Sequence, residues 1–160
     1  MTIIILSCED GYLIKRDGHK GANLITKNTI YTTFANLATQ GWFRIATCNI
    51  QVTGCVCEME IVTSYNFQKP SSKKIVVCIG WNNSDIQVLG NKDEDNLITK
   101  IRTVQSGSGA SRNLYIDIYY NIPQQNGVVI YLTCKYKEIT LNNFTLITET
   151  PTGNVTEKNI

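Results

Sequence analysis

The sequence predicts an all-β protein, an antiparallel β-sandwich of the jelly-roll kind with little helix. Segments that alternate apolar with polar residues, or that are rich in β-branched residues, recur along almost the whole chain. Clusters of Gly, Pro, Asn, Asp and Ser separate these segments, as expected for turns between strands. Helical periodicity is nearly absent. These observations favour two packed sheets over an architecture that needs helices.

Ten segments have the alternation or the composition of strands. The turn-rich stretches between them include GNKDEDN (90–96) and SGSGAS (106–111). One segment interrupts the series: TTFANLATQG (32–41) predicts one or two turns of helix that end at Gly41. In chain order the ten expected strands are residues 2–6, 11–15, 41–48, 55–65, 73–81, 85–89, 97–104, 114–120, 127–136 and 144–149.

The same pattern divides the chain into three parts. Its 160 residues, 42% of them hydrophobic, suffice for one domain with a core. Residues 41–150 contain the long, regularly spaced strands and are predicted to be the β-sandwich head domain. Residues 1–40 are less periodic, which indicates an attachment segment or an irregular first part of the domain. Residues 151–160 are polar, so we expect a loose tail or an arm ordered by a neighbouring molecule.

Charge and hydropathy exclude two classes of partner. Fifteen Lys and Arg residues against thirteen Asp and Glu give a net charge of +2, and no long basic run occurs. Nucleic-acid binding through a basic surface is therefore not expected. No apolar run approaches the roughly twenty residues that span a bilayer, and the first residues lack the charge pattern of a signal peptide. We expect synthesis in a cytoplasm and no membrane insertion.

The cysteines and the single histidine give no sign of a metal or catalytic site. Cys55 and Cys57 alternate in register with aliphatic residues, which is typical of reduced thiols in a core, and all six cysteines are expected to be free. Their spacing differs from that of structural zinc ligands. His19 lies in a loop-like stretch without a neighbouring nucleophile. We predict no catalytic residue, no metal, no cofactor and no enzymatic activity.

Two groups of residues have the chemistry of a ligand or subunit contact. One is the strand end GWNNSD (80–85), and the other is the face of strand 114–120 that points away from the predicted core, where two tyrosines flank a carboxylate. Sugar binding uses flat rings and planar amide or carboxylate groups, whereas exposed aromatic residues are also typical of subunit contacts. If strand 114–120 lies beside strand 127–136, the tyrosines of strand 114–120 and the Val129–Tyr131 row form one patch. The candidate residues are Trp81, Asn82, Asn83, Asp85, Tyr115, Asp117, Tyr119 and Tyr131.

Four short segments resemble a family of phage proteins. They are GWFRIAT (41–47), EIVTSYN (60–66), LITKIRTV (97–104) and LYIDIYYN (114–121). In this order and spacing they are similar to the β-sandwich head modules of phage fibre and minor structural proteins. The resemblance covers about 110 residues. It implies a homotrimer in the virion that contacts a host-surface glycan or protein.

The resemblance also limits the kind of virion protein that we expect. Fibre proteins usually carry a long repetitive shaft before the head, whereas only 40 residues precede the head here. A short fibre, a head fibre or a capsid decoration protein fits better, held to other virion proteins by residues 1–40. The alternative is a bacterial carbohydrate-binding module or small adhesin. A secretion signal would favour that alternative, and the start at Met1 without one argues against it.

Overall fold

A computed structural model of the chain describes twelve strands and, among the residues that it describes, no helix. The described residues are 3–8, 11–16, 30–48, 55–65, 69–80, 83–92, 96–107, 112–136 and 139–160. The strands are β1 (Ile3–Cys8), β2 (Gly11–Arg16), β3 (Ile30–Leu37), β4 (Gly41–Cys48), β5 (Cys55–Tyr65), β6 (Lys69–Ile79), β7 (Ser84–Lys92), β8 (Ile98–Ser106), β9 (Asn113–Tyr120), β10 (Asn126–Tyr136), β11 (Ile139–Ile147) and β12 (Asn154–Asn159).

The strands form two five-stranded antiparallel sheets and a separate hairpin. The first sheet has the order β3-β10-β5-β6-β7, the second has the order β11-β4-β9-β8-β12, and β1 pairs with β2. The pairs β3–β10 and β4–β9 are nested as in a jelly roll, while β5, β6 and β7 form a meander. The prediction of an all-β sandwich is confirmed.

The core lies between the inner faces of the two sheets. Alternate residues of β9 point inward, so this strand contributes Leu114, Ile116, Ile118 and Tyr120, all fully buried. The opposing sheet supplies the apolar rows of β5, β6 and β10. Aliphatic side chains from both sheets thus interdigitate, which is the arrangement that stabilises sandwiches.

A buried lysine connects the two sheets. Lys73 on β6 is 1% exposed, and its Nζ donates hydrogen bonds to the carbonyl oxygens of Ile98 (2.5 Å) and Ile160 (3.0 Å). Ile98 begins β8 and Ile160 directly follows β12, both in the second sheet. Because an unpaired buried cation is costly, these carbonyl partners make the charge tolerable. Lys73 therefore ties the end of the chain to the first sheet.

The described cysteines are free thiols, and two of them are in contact. Cys48 ends β4 and Cys55 begins β5, so the pair lies where the chain passes from the second sheet to the first. A hydrogen bond donated by the Cys55 thiol to the Cys48 side chain and burial both raise the pKa of the Cys55 thiol. Cys57 is also buried, but Cys78 is exposed on the outer face of its sheet. The side chains of Cys8 and Cys134 lie outside the described part.

Two local predictions were wrong. Residues 32–37, expected to be helical, belong to β3, which pairs with β10, so the described sandwich begins at Ile30 and not at Gly41. Residues 154–159, expected to be a loose tail or an arm on a neighbour, form β12 and pair with β8 of the same chain. In both places backbone hydrogen bonding to a neighbouring strand decides the structure.

No helix in the described part of the chain has the length and the apolar character needed to cross a membrane.

Candidate functional site

The outer face of the second sheet carries a cluster of cations, aromatic rings and one carboxylate, which we call the arginine face. Cross-strand register creates it, because residues directly opposite on antiparallel strands place their side chains side by side. One row joins Trp42, Tyr119 and Lys100, and the next joins Arg44, Asp117 and Arg102. The arginine face comprises Trp42, Arg44, Lys100, Arg102, Tyr115, Asp117 and Tyr119.

Asp117 is the centre of this cluster. Arg44 Nε donates to Asp117 Oδ1 and Arg102 Nε donates to Asp117 Oδ2, each at 3.0 Å. The carboxylate is 0% exposed, whereas the Arg44 and Arg102 side chains are 21% and 7% exposed. The two guanidinium groups therefore cover the carboxylate, and charge-assisted hydrogen bonds offset its desolvation.

Aromatic rings support both guanidinium groups. Arg44 Cζ lies 3.5 Å from the centre of the Tyr115 ring, and Arg102 Cζ lies 4.1 Å from the centre of the Trp42 ring. Trp42 in turn meets Tyr119 edge to face, with ring centres 5.3 Å apart. The planar guanidinium of Arg can stack flat on an aromatic ring while its N–H groups bind a carboxylate, whereas the ammonium of Lys is a compact point charge. The side chains of the cluster thus hold each other in one arrangement.

The segment between β11 and β12, residues 148–153, crosses this outer face. β11 and β12 lie on opposite edges of the second sheet and run in the same direction, so the chain must pass diagonally over β4, β9 and β8. Four strand spacings amount to about 19 Å, which six residues span only when they are nearly extended. Residues 148–153, which we call the crossing segment, are therefore stretched over the sheet.

Gly153 ends the crossing segment in a conformation that suits glycine. Its φ is +122°, and a Cβ atom added there would lie 2.1 Å from the backbone oxygen of Gln105. Such a distance is impossible without moving the backbone of β8, so the close approach of the crossing segment to the sheet depends on the missing side chain.

A groove opens between the crossing segment and the arginine face. Its volume is about 340 Å³, at the lower end of the roughly 300–1,000 Å³ typical of ligand sites. The sheet supplies a cation and an aromatic ring, and the crossing segment supplies three threonines and one carboxylate. The lining residues are Arg44, Val104, Ser106, Tyr115, Leu146, Ile147, Thr148, Glu149, Thr150, Pro151 and Thr152.

The hydrogen-bonding capacity of the arginine face is incompletely used. Among the described residues, no group accepts a hydrogen bond from the buried Nη2 of Arg102. Lys100 pairs with Glu157 at 2.9 Å, which leaves the single carboxylate of Asp117 to neutralise two arginines. Arg44, Arg102 and Lys100 thus outnumber Asp117 and Glu157 by one charge, while Glu149 supplies a further carboxylate on the facing wall of the groove.

The structure separates the residues that the sequence had grouped as candidates. Tyr115 lines the groove, Tyr119 lies in the neighbouring row, and Asp117 is buried beneath arginines of its own chain, not exposed to a hydroxyl or to another subunit. Tyr131, 43% exposed, lies on the outer face of the first sheet. Because β9 and β10 belong to different sheets, the tyrosines of β9 and the Val129–Tyr131 row do not merge into one patch.

The turn candidates lie away from the groove. Asn83 and Asp85 are exposed at the start of β7, an edge strand of the first sheet, and Asp85 accepts a hydrogen bond from Gln87 at 2.9 Å. Trp81 and Asn82 lie outside the described residues. These four residues remain candidates by sequence only.

Sequence reasoning missed Trp42, Arg44 and Arg102. The signal was present, since in GWFRIA and in KIRTV these residues alternate with apolar neighbours and so occupy the face opposite to the core. It could not show that β4 and β8 both flank β9. Within the described residues, no group of three or more His, Cys, Asp or Glu side chains could hold a metal ion.

Comparison with protein-family models and with curated proteins gave no match. Among solved structures, the chain is similar to a tailspike protein of the Acinetobacter baumannii bacteriophage Fri1, described as a capsular polysaccharide depolymerase. The sequence identity is 14% and the TM-score is 0.42. The match covers 75% of this chain but 20% of the tailspike protein. A likeness at this level carries no argument about function.

Proposed function

We propose that the chain is a non-enzymatic component of a phage virion, a short fibre, head fibre or decoration protein whose β-sandwich attaches the particle to a host-surface glycan. The observation that carries the proposal is the groove over the arginine face. It combines an aromatic ring, a guanidinium group and several hydroxyl groups in a concave site of ligand size. Sugars are bound by flat rings against their C–H faces and by planar polar groups at their hydroxyls.

Rigidity supports a role in binding. Arg44 is held by Asp117 on one side and by Tyr115 below, so its position is fixed before any ligand arrives. A preorganised site loses little conformational entropy on binding, which favours affinity for flexible saccharides. The resemblance of four strand segments to phage head modules supports the proposal that this binding surface belongs to a virion.

Assembly is part of the same proposal. The homotrimer would use the outer face of the first sheet, where Phe34 is 60% exposed and Tyr131 is 43% exposed. Phe34 lies directly opposite Val129, so the apolar residues are contiguous. Contiguous apolar surface of this kind is typical of subunit contacts. Residues 1–40 would hold the protein to the particle.

Immunogold electron microscopy tests the virion assignment. Antibody raised against the purified chain should label the surface of intact particles from the phage that encodes it. Antibody preabsorbed with the purified chain serves as the control and should remove the label. Particles that lack the chain, both by labelling and by mass spectrometry of purified virions, would contradict the proposal. A bacterial carbohydrate-binding module or small adhesin would then be the better assignment.

A further inference from the structure

We infer that the groove binds an acidic saccharide, whose anionic group pairs with the guanidinium of Arg44. This inference rests on the proposed function and names the ligand class of that site. The shared chemistry is a sugar that carries a carboxylate or a phosphate, since Arg binds both through paired N–H donors. A neutral glycan would leave the charge of the site unpaired.

The charge balance of the arginine face is the first argument. Arg44, Arg102 and Lys100 are cations, whereas Asp117 and Glu157 are the carboxylates bonded to them. One positive charge remains in this cluster, and Glu149 supplies a further carboxylate on the facing wall of the groove. Among the ion pairs of the described residues, however, Arg44 is joined to Asp117 and not to Glu149. An anion in the groove would neutralise the remaining charge of the cluster, and electrostatic attraction is strong where water is partly excluded.

The geometry of Arg44 is the second argument. Its Nε is used by Asp117, its flat side rests on Tyr115, and the side chain lines the groove. Among the described residues no group accepts a hydrogen bond from its two terminal amino groups. With 21% of the side chain exposed, Arg44 is the arginine of the face that a ligand reaches, because Arg102 is 7% exposed, and Lys100 is paired with Glu157.

The crossing segment supplies the third argument. Thr148, Thr150 and Thr152 line the groove opposite Arg44, and their hydroxyls can donate to or accept from sugar hydroxyls. Glu149 also lines the groove and has the same charge as the proposed ligand. It opposes an anion, so Glu149→Gln should tighten binding of an acidic ligand. Weaker binding in that variant would count against Arg44 as the anchor.

Isothermal titration calorimetry with matched ligand pairs tests the inference. The first pair is a hyaluronan hexasaccharide and its carboxyl-reduced form; the second is mannose 6-phosphate and mannose. We expect at least one acidic member to bind tenfold or more tightly than its neutral counterpart, and the responding pair identifies carboxylate or phosphate. Equal affinities for acidic and neutral members of both pairs would overturn the inference.

Variants assign the effect to the groove. Arg44→Gln should weaken the acidic ligand at least tenfold and leave the neutral one unchanged, which is the coupling expected of a direct pair. Lys92→Gln removes the same charge from an exposed site on the first sheet and should change affinity less than twofold. Thr150→Trp fills the groove from the exposed crossing segment without touching Asp117 and should abolish binding while the melting temperature is unchanged. Undiminished binding in Arg44→Gln and in Thr150→Trp would show that the acidic ligand does not bind in the groove.

Attachment of labelled protein to host cells distinguishes a failure of this inference from a failure of the proposed function. If labelled wild-type protein and Arg44→Gln attach equally well to host cells, the acidic ligand is wrong and the attachment function stands. If the protein does not attach to cells and antibody against it does not label particles, both this inference and the proposed function are wrong.

Discussion

Asp117 is a single carboxylate shared by two guanidinium groups, and its environment sets the energetics of the arginine face. Removing one partner of a buried ion pair leaves an uncompensated charge and costs about 3–5 kcal/mol. The carboxylate of Asp117 therefore offsets the repulsion between the two guanidinium groups, each of which lies against an aromatic ring.

Replacing Asp117 with Asn tests this role. The amide keeps the shape but loses the charge, so we expect the free energy of unfolding to fall by about 3 kcal/mol. Asp85→Asn is the matched control, because Asp85 is exposed and bonds only to Gln87, and should change stability by less than about 0.5 kcal/mol. Urea denaturation followed by tryptophan fluorescence measures both. Equal effects in the two variants would show that the buried pair contributes nothing.

The thiol of Cys55 gives a prediction about pH. Its pKa is raised in the folded chain by the hydrogen bond that the thiol donates to Cys48 and by burial, so the folded state holds the proton more tightly than the unfolded state. The sign follows: stability is unaffected below the ordinary thiol pKa of about 8.5 and decreases above it, because the unfolded chain then loses the proton first. Each such group contributes a slope of up to about 1.4 kcal/mol per pH unit.

Urea denaturation at intervals between pH 7 and pH 9.5 measures that slope. Cys55→Ala should be less stable than the wild type at pH 7, yet its stability should decrease less steeply above pH 8.5. A matched control is Cys78→Ala, since Cys78 is exposed, and its slope should equal that of the wild type. An identical slope in Cys55→Ala would contradict the assignment.

At the scale of elements, the crossing segment connects the edges of the second sheet and forms one wall of the groove. A stretched segment of six residues has few conformations that reach both edges of the sheet, so the positions of its two ends determine its path. Gly153 fixes one of them by permitting contact with the backbone of Gln105. β12 begins directly afterwards and lies on the edge of the sheet, where Lys and Glu residues alternate with small polar ones, as is common for protected edge strands.

Gly153→Ala should therefore loosen both the crossing segment and β12. The new Cβ atom would collide with the carbonyl of Gln105, and alanine is strained at a φ of +122°, so we expect a loss of about 2–3 kcal/mol. Gly90→Ala is the control, because a Cβ atom there meets nothing within 4 Å. Amide hydrogen exchange should be faster over residues 148–159 in Gly153→Ala alone. Unchanged exchange and stability would show that the crossing segment is not held at Gly153.

Most strands could be predicted from the sequence. The exceptions are β3 and β12, and in neither does a clear apolar row mark the strand. In β3 the inward row of Tyr31, Thr33, Ala35 and Leu37 is mixed in polarity, and Ala and Leu suit a helix as well as a strand. In β12 no residue is buried, so hydrogen bonds to β8 and not apolar burial define the strand. Hydrophobic periodicity indicates which residues are buried. It does not reveal a strand that is held by backbone hydrogen bonds alone.

The candidate site was predictable to a lesser degree, because alternation fixes the face of a residue but not its neighbours. It placed Tyr115, Asp117 and Tyr119 opposite the core correctly. It could not place Arg44, which lies 73 residues from Asp117, beside that carboxylate. Nor could it assign β9 and β10 to different sheets, which divides the expected tyrosine patch between two faces.

At the scale of the molecule, the two outer faces of the sandwich differ in chemistry and, in our account, in use. The arginine face is polar, cationic and covered in part by the crossing segment. The outer face of the first sheet presents exposed Phe34 and Tyr131, and Glu60 lies opposite Lys74 on its strands β5 and β6. One face would then bind ligand while the other forms contacts between subunits, so that a trimer displays three grooves and gains avidity.

The trimer can be tested by changing the apolar face. Phe34→Lys combined with Tyr131→Lys should convert the oligomer to monomers at micromolar concentration, as measured by analytical ultracentrifugation, and leave the circular dichroism spectrum unchanged. Val155→Lys, at an exposed valine on the opposite sheet, is the control and should remain trimeric. A monomeric wild-type protein would contradict the trimer, and a trimer that tolerates the double change would place the contact elsewhere.

Inhibition of phage adsorption by the purified protein tests the central claim, attachment to the host surface, most directly. Host cells preincubated with the protein should adsorb the phage that encodes it more slowly, in proportion to the receptors that the protein occupies. Thr150→Trp, with its groove filled, should have little effect at the same concentration. If saturating wild-type protein neither binds the cells nor slows adsorption, the chain is not an attachment protein and the groove serves another purpose.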